Sequence, residues 1–286
     1  MRYSINLPNF GELADPRTVA DLAVAAEEAG WDGLFLWDHV HYRARGAVPF
    51  GDAWILLAAA GMVTTRLRLG PLVTPVARRR PAKLAREVAT LDVLTGGRLV
   101  FGAGLGAPLE DEFGAFGDTT DPRVLAERLD EGLAALDLLL TGEPVSYQGK
   151  HLTLDDVRLL PVTVQRPRVP VWIAGRWPNR APFRRAARWD GAAPLFPGYA
   201  EQQPPEAADV RALAKFLAEC RAAAGREGEP FELVIGGRTA GAGDTGLVAD
   251  LAEAGATWWD ERVPFDETLD KADTYRRRIE QGPPRI

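Results

Sequence analysis

The stretch that decides the fold is residues 29–39, which read AGWDGLFLWDH. A helical pattern over residues 16–29 ends here, and residues 32–37 follow as a short, nearly continuous apolar run. Runs of this kind are typical of strands buried on both faces of a parallel sheet. Two polar residues, Asp38 and His39, come directly after the run. The segment therefore predicts one helix–strand unit of a parallel α/β fold with a polar strand end.

The same alternation of strand and helix recurs along the chain. Strands are predicted over residues 2–7, 32–37, 67–73, 98–102, 169–174, 191–196, 231–235 and 256–259. Helices are predicted over residues 16–29, 52–63, 81–94, 122–140, 181–188, 207–224, 245–254 and 266–281. Eight units in this order, joined by short loops, predict a closed (β/α)8 TIM barrel rather than an open sheet.

One segment interrupts the barrel rhythm. Residues 145–154 have the pattern of a β-hairpin that turns at residues 148–150. We expect a small insertion over about residues 143–168 that lies outside the barrel, within a single domain spanning residues 1–286.

Composition narrows the class of protein. The 286 residues carry a formal net charge of -6 and one cysteine. Nucleic acid is not expected as a partner, because phosphate binding needs a concentrated cationic face. A single cysteine allows no intrachain disulfide and fits a reducing compartment. The start of the chain is too polar for a signal peptide, and no apolar run is long enough to span a membrane, so we expect a soluble cytoplasmic protein.

Chemistry in such barrels resides in the loops that follow the strands. Two of these loops have features of anion sites. Residues 102–106 read GAGLG, which would let a ligand approach the backbone closely, although a tight turn is the simpler interpretation. Gly175 and Arg176 follow the fifth strand and precede a predicted helix, so they could bind a phosphate at a helix N-terminus, or could be a helix start with a solvated arginine.

A third loop carries the pair His39 and His41. Histidines at this spacing suit a metal-dependent hydrolase, but such a site needs further ligands, and the only other histidine is His151 in the insertion. We therefore predict no metal site. His39 could instead act as a proton donor or orienting group, or be a loop histidine with no catalytic role. The basic run at residues 78–80 is expected to be solvated or paired in salt bridges.

Several of these segments, in this order, resemble the bacterial luciferase-like flavin-dependent oxidoreductases. The matching stretches are residues 29–39, 69–75, 80–87, 91–99, 102–106, 149–151, 170–175 and 187–191. The resemblance covers most of residues 1–196 and is thinner beyond, where residues 253–259 look familiar. It implies a luciferase-like TIM barrel with FMN or the deazaflavin coenzyme F-420 at the carboxyl-end rim. It also implies a homodimer, as is common in the family.

The resemblance also assigns roles to residues. It implies that His39 is catalytic and lies against the reactive ring carbon of a deazaflavin, and that a non-prolyl cis peptide joins Leu72 to Val73 behind the ring. The cofactor-binding residues that we predict are Asp38, Leu72, Val73, Thr74, Gly104, Leu105, Gly106, Gly175 and Arg176.

One position departs from the deazaflavin-dependent sugar-phosphate dehydrogenases, which carry a glutamate directly after the glycine loop. Ala107 stands there instead, which disfavours a sugar-phosphate substrate. Glu110 and Asp111 are the candidates to supply an acid in its place.

Three hypotheses follow. The first is an F-420-dependent oxidoreductase acting on a small organic substrate. The second is an FMN-dependent monooxygenase that uses oxygen and receives reduced flavin from a separate reductase. The third is a flavin-binding barrel without turnover.

Overall fold

The computed structural model describes residues 1–198 and 203–286. The strands are β1 (Arg2–Leu7), β2 (Gly33–Leu36), β3 (Arg68–Pro71), β4 (Thr74–Pro75), β5 (Phe101–Gly104), β6 (Val145–Gln148), β7 (Thr153–Val157), β8 (Val171–Arg176), β9 (Gly191–Leu195), β10 (Glu232–Gly237) and β11 (Trp258–Glu261). The α-helices are α1 (Pro16–Glu28), α2 (Ala53–Val63), α3 (Pro81–Leu94), α4 (Leu109–Glu112), α5 (Pro122–Leu139), α6 (Arg180–Ala186), α7 (Ala207–Ala223), α8 (Thr245–Glu253) and α9 (Ala272–Glu280).

The parallel strands form one barrel. They are ordered β3-β2-β1-β11-β10-β9-β8-β5-β4. The barrel is closed between the two ends of this order by a parallel bridge from Leu69 to Leu99, in which the amide of Val100 donates to the carbonyl of Leu69 at 2.9 Å. Strands β3 and β4 are two halves of one stave, separated by Leu72 and Val73, whose peptide bond is cis. The predicted (β/α)8 barrel and the predicted cis peptide are both confirmed.

The insertion forms the predicted hairpin outside the barrel. Strands β6 and β7 pair antiparallel in a sheet of their own. The turn is held against α5, because both carboxylate oxygens of Glu131 accept from the backbone amides of Lys150 and His151 at 2.8 and 2.9 Å.

Several predicted boundaries were wrong, and the structure gives the reason for three of them. The fourth stave was predicted over residues 98–102 but is β5, because the side chain of Arg98 turns away to donate to the backbone carbonyls of Gly61 in α2 and Leu67 before β3. The eighth was predicted to end at Trp259, but it continues through Asp260 and Glu261, whose carboxylates are buried and paired. The last helix was predicted from residue 266 but begins at Ala272, since Asp266 accepts hydrogen bonds in a local turn from Thr268.

Large aromatic side chains fill the barrel interior, where Phe35, Trp172 and Trp258 are in mutual ring contact.

Over residues 1–198 and 203–286, no helix has both the length and the hydropathy needed to cross a bilayer.

Candidate active site at the carboxyl end of the barrel

A cavity of about 760 Å³ opens at the carboxyl ends of the barrel strands. Residues that end or follow β1, β2, β5, β8 and β11 line it, together with one face of α5. A volume of this size is within the range of pockets that bind cofactors and other small molecules. The carboxyl-end rim is also where parallel barrels place their active sites, so the predicted location of the site agrees with the cavity.

His39 lies in the wall of this cavity in a fixed position. The side chain of buried Asn9 donates to the carbonyl of His39 at 2.7 Å and accepts from its amide at 3.2 Å. The imidazole stacks on Tyr42, with ring centroids 5.2 Å apart, and stands edge-on to Trp37 at 5.7 Å. Both backbone and ring of His39 are thus held in place before any ligand binds.

The strongest polar contact of His39 is with Glu112 at the end of α4. Nδ1 of the imidazole lies 2.6 Å from Oε1 of this carboxylate, whose side chain is 0% exposed. The other oxygen of Glu112 is paired with Arg78. Because a carboxylate can only accept a hydrogen bond, the proton of the imidazole is on Nδ1, and Nε2 of the neutral ring carries a lone pair.

The surroundings keep the imidazole neutral. Burial, followed by the positive charge of Arg78, lowers the pKa of His39 to about 4. Since 18% of the side chain is exposed, on a residue that lines the cavity, a ligand can reach the ring. At neutral pH the site therefore offers an unprotonated imidazole nitrogen, which can accept a proton.

Asp38 also lines the cavity, but its carboxylate is engaged by the protein. It accepts from Thr74 at 2.7 Å and is paired with Arg78 and Arg79 at 2.8 and 2.9 Å. Both Asp38 and His39 lie beyond the end of β2 and both line the cavity, so the alternation of side chains along the strand does not decide which of them faces it. The predicted salt bridging of the basic run is confirmed at Arg78 and Arg79.

The wall next to His39 is built around the break between β3 and β4. Leu72 and Val73 line the cavity beside Gly104, Leu105 and Gly106. A Cβ atom on Gly104 would lie 2.6 Å from Cγ2 of Val73, so glycine is required for this close approach. The result is an apolar surface beside a glycine-containing strand end in the same cavity wall.

Gly175 and Arg176 line the cavity as well, but they do not open a helix as the sequence suggested. Strand β8 continues through both residues because they pair with Pro194 and Leu195 of β9. Helix α6 begins four residues later, at Arg180, where the side chain of Asn179 accepts from the amide of Ala181 at 3.3 Å. Any anion near Gly175 would be bound by a strand end and an arginine, not by a helix N-terminus.

The wall beyond Trp37 is polar. Nε1 of Trp37 donates to Oδ1 of Asn6, whose Nδ2 donates to Oδ2 of Asp260 at 3.0 Å. Asp260 also accepts from Ser4 at 2.8 Å, and Nε of Arg262 lies 3.5 Å from Oδ2. Burial raises the pKa of Asp260 to about 6.

The structure brings nearly all of the predicted site residues together. Every predicted residue except Thr74 lines the cavity, and Thr74 is buried behind the wall as a donor to Asp38. Of the two acids proposed to replace the missing glutamate, Glu110 is exposed, and Asp111 accepts from the backbone amide of Arg43 at 2.8 Å. The acid at the site is Glu112, which sequence reasoning missed.

The geometry does not support a metal site built on His39 and His41. His41 lies against Phe116, with ring centroids 6.5 Å apart, and is absent from the cavity wall. In the part of the chain that the structure describes, no three acidic, histidine or cysteine side chains are grouped so that they could hold a metal ion.

The family model described as luciferase-like monooxygenase matches residues 1–281. The chain therefore belongs to the luciferase-like monooxygenase family, as the motifs in the first two thirds of the sequence suggested. Curated relatives include an uncharacterised protein of Sinorhizobium fredii, 35% identical over 178 residues, which are 62% of this chain and 48% of the relative. An F-420-dependent glucose-6-phosphate dehydrogenase of Gordonia bronchialis is 33% identical over 171 residues, which are 58% of this chain and 49% of that enzyme. The chain spans about half the length of the curated relatives it matches.

Solved structures share the fold over almost the whole chain. The F-420-dependent tetrahydromethanopterin reductase of Methanopyrus kandleri has a TM-score of 0.78 at 16% identity, covering 98% of both chains. The oxygenating constituent of 3,6-diketocamphane monooxygenase from Pseudomonas putida, solved with FMN, has a TM-score of 0.75 at 14% identity, covering 98% of this chain and 97% of that one. At these identities the likeness establishes the luciferase-like barrel and nothing finer.

Proposed function

We propose that the chain is an oxidoreductase that moves hydride between coenzyme F-420 and a small organic substrate. The observation that carries the proposal is the pair of His39 and Glu112. It sets a neutral imidazole, with Nε2 unprotonated, in the wall of a large cavity. Such a group is suited to accept a proton from an alcohol or to return one to a carbonyl oxygen.

The residues present fit a flavin-type cofactor. Leu72, Val73 and Leu105 offer an apolar surface for a planar ring system, and Gly104 and Gly106 line the cavity beside it. Arg176 and Arg123 supply positive charge elsewhere in the same cavity wall. We propose that the ring rests on the apolar surface, that Asp38 stands at its edge, and that the phosphate lies near Gly175 and Arg176.

When bound, the coenzyme would accept a hydride at its ring carbon in its oxidised form and supply one in its reduced form. The residues of this chain bind and orient the coenzyme and the substrate, and they exchange a proton with the substrate. His39 takes the hydroxyl proton onto Nε2 as an alcohol is oxidised, and the positive charge that develops is stabilised by Glu112 on the other side of the ring. In the reverse direction the same nitrogen returns the proton to the oxygen of the carbonyl.

The FMN hypothesis uses the same wall and adds a partner. An FMN-dependent monooxygenase would need reduced flavin from a separate reductase and would consume oxygen. The proton acceptor at His39 favours the deazaflavin reaction, since removal of a hydride from an alcohol carbon requires that the hydroxyl proton be accepted.

We further propose that the protein is a homodimer that associates through the outer face of α2 and the end of α3. Apolar side chains are exposed there, with Met62 at 70% and Ile55 at 62%. Val63, Val93 and Leu94 extend the same group of exposed apolar residues. Contiguous exposed apolar surface on a folded domain commonly marks an interface.

Titration of the purified protein with reduced F-420 and with reduced FMN, without oxygen, tests the proposed function. We expect F-420 to bind more tightly, and bound reduced F-420 to stay reduced when oxygen is admitted. Preferential binding of FMN, followed by rapid oxidation in air, would establish the monooxygenase instead. Tight binding of either cofactor, with no oxidation by any substrate or by oxygen, would favour a barrel without turnover.

A further inference from the structure

Arg262 is a cation in the cavity wall, away from the proposed cofactor phosphate. It follows β11, the eighth stave, whereas Arg176 ends β8 and Arg123 lies on α5, which follows the fourth stave. In an eight-stave barrel the eighth and fourth staves are opposite each other. Arg262 is therefore separated from the cations assigned to the cofactor and faces the part of the cavity that contains Trp37 and His39.

The guanidinium of Arg262 has unused hydrogen-bonding capacity. Its Nε lies 3.5 Å from Oδ2 of Asp260, and its side chain is 14% exposed. Among residues 1–198 and 203–286, no group accepts a hydrogen bond from its two terminal nitrogens. These nitrogens carry four N–H donors, which a partly buried arginine ordinarily has satisfied.

Other poorly exposed arginines of this protein differ in that respect. The terminal nitrogens of Arg98 donate to the carbonyls of Gly61, Thr64 and Leu67 at 2.8 to 3.0 Å. Those of Arg278 donate to Gly282, Thr239 and Glu261. Both are structural residues whose terminal nitrogens donate within the protein. The terminal donors of Arg262, in contrast, have no acceptor among the described residues, and they lie in a cavity wall that a ligand can reach.

The position of Arg262 is fixed from two sides. Its amide donates to the carbonyl of Gly237 at 2.8 Å, and a Cβ atom on Gly236 would lie 2.3 Å from the guanidinium carbon. The side chain thus lies flat against β10, where only glycine leaves room. Asp260 holds the Nε edge and is itself fixed by Ser4 and Asn6. A preordered guanidinium loses little entropy when it binds an anion.

A short chain of contacts joins Arg262 to His39. Arg262 contacts Asp260, Asn6 links Asp260 to Trp37, and Trp37 lies edge-on to His39. These residues end the neighbouring strands β11, β1 and β2. Two interstrand spacings amount to roughly 10 Å, and the side chains converge toward the cavity. A molecule of a few carbon atoms can therefore contact both residues.

We propose that Arg262 binds the carboxylate of the substrate, so that the substrate class is a small oxo or hydroxy acid whose reactive carbon lies beside His39. This assignment of the site to substrate rests on the function proposed above. The planar fork of a guanidinium matches the two oxygens of a carboxylate. A phosphate dianion fits less well, because Arg262 is the single cation in this part of the wall among the described residues.

Binding calorimetry with defined probes tests the proposal without requiring turnover. The probes are pyruvate and levulinate, each compared with its neutral amide, and inorganic phosphate. They are titrated into the full-length protein with and without bound cofactor. We expect each acid to bind about tenfold or more tightly than its amide, since a charge-assisted pair is lost with the amide. In Arg262→Gln the preference for the acid should disappear while cofactor affinity is unchanged.

Matched variants separate this role from a structural one. Arg238→Gln removes the same charge from an exposed residue in the neighbouring rim loop and should keep the acid preference. The double variant with Asp260→Asn and Arg262→Gln leaves no unpaired buried carboxylate, so loss of preference there cannot come from misfolding around Asp260. Arg262→Lys should keep part of the preference, because charge remains but the fork is lost.

The outcomes also separate this inference from the proposed function. Equal binding of acid and amide by the wild type, an acid preference that survives in Arg262→Gln, or phosphate binding tighter than either acid would overturn it. None of these results would affect the cofactor titration. Conversely, an Arg262-dependent acid preference in a protein that binds neither cofactor would support the anion site and refute the oxidoreductase.

Discussion

Nδ1 of His39 lies 2.6 Å from Oε1 of Glu112, although 73 positions separate the two residues in the sequence. This contact fixes which nitrogen carries the proton, and so determines what the imidazole can do. Arg78 is paired with the second oxygen of Glu112. The negative charge of the carboxylate is therefore neutralised by the arginine and does not promote protonation of the histidine. The site thereby keeps a neutral base inside a partly buried wall.

The first prediction concerns the two histidines that follow β2. His39→Ala should bind cofactor within a few-fold of the wild type but turn over about 10²–10⁴-fold more slowly, because the proton acceptor is lost. His41→Ala should behave nearly like the wild type, since His41 contacts Phe116 and lies outside the cavity wall. Single-turnover reaction of the bound cofactor with a substrate, followed in both directions, measures both. Equal losses in the two variants would revive a paired-histidine site.

The second prediction concerns the tautomer of His39. Glu112→Leu removes the acceptor at Nδ1, so the neutral ring should shift toward the form protonated on Nε2 and turnover should fall. Nitrogen NMR of the ¹⁵N-histidine-labelled protein can follow this, because the chain has 3 histidines. Glu110→Leu, at an exposed position on the same turn, is the matched control and should leave the His39 signals unchanged. An unaltered tautomer in Glu112→Leu would contradict the positioning role of Glu112.

The fold was largely predictable from the sequence because the barrel staves are apolar runs between capped helices. The run over residues 32–37 requires burial on both faces, and seven similar runs leave a closed barrel as the simplest arrangement. The errors occurred where charge is buried. Asp260 and Glu261 extend β11, yet their residue types favoured a loop; only their partners from other strands, such as Asn6 and Arg278, make burial possible.

The site was predictable where local motifs define it and not where it depends on contacts distant in sequence. Asp38, His39 and the glycine loop follow strands directly, so their place at the rim follows from the fold. Glu112 belongs to an acidic run over residues 110–112, which resembles an exposed helix face. Nothing in a single sequence indicates which of these acids turns toward His39. Arg262 was likewise one arginine among many until the pairing of β11 with β1 placed it in the cavity.

The third prediction concerns the cofactor phosphate. Arg176→Glu reverses the charge at the end of β8. It should weaken binding of the phosphorylated cofactor by a factor of about ten, which corresponds to about 1.4 kcal/mol of binding free energy. The dephosphorylated cofactor should lose much less, since it has no anion at this position. Equilibrium titration with both forms tests the difference. Equal losses for the two forms would indicate that Arg176 acts through the shape of the wall rather than through the phosphate.

The fourth prediction concerns oligomeric state. Met62→Glu places a charge in the exposed apolar face of α2 and should convert a dimer into a monomer, because an unpaired charge in an apolar interface is costly. Leu160→Glu introduces the same charge at another exposed apolar residue, away from α2, and should leave the dimer intact. Light scattering after gel filtration gives the mass of each variant. A wild-type mass of one chain, or a dimer that survives Met62→Glu, would rule out this interface.

The last prediction is a dependence of stability on pH. The pKa of His39 is lowered to about 4 in the folded protein from an ordinary value of 6.5, so below pH 6.5 the unfolded chain takes up the proton first. Acidification from pH 6.5 to 4 should therefore lower the free energy of unfolding of the wild type relative to that of His39→Gln, by at most about 1.4 kcal/mol per pH unit. Above pH 6.5 the difference in free energy of unfolding between the two proteins should be constant. Asp260, whose pKa is raised to about 6, acts in the opposite direction in the same window, but it is present in both proteins and cancels in the comparison. Urea unfolding of the two proteins at a series of pH values gives the difference directly. A difference that stays flat down to pH 4 would mean that the imidazole is not held neutral, and the proton-accepting role of His39 would then have to be abandoned.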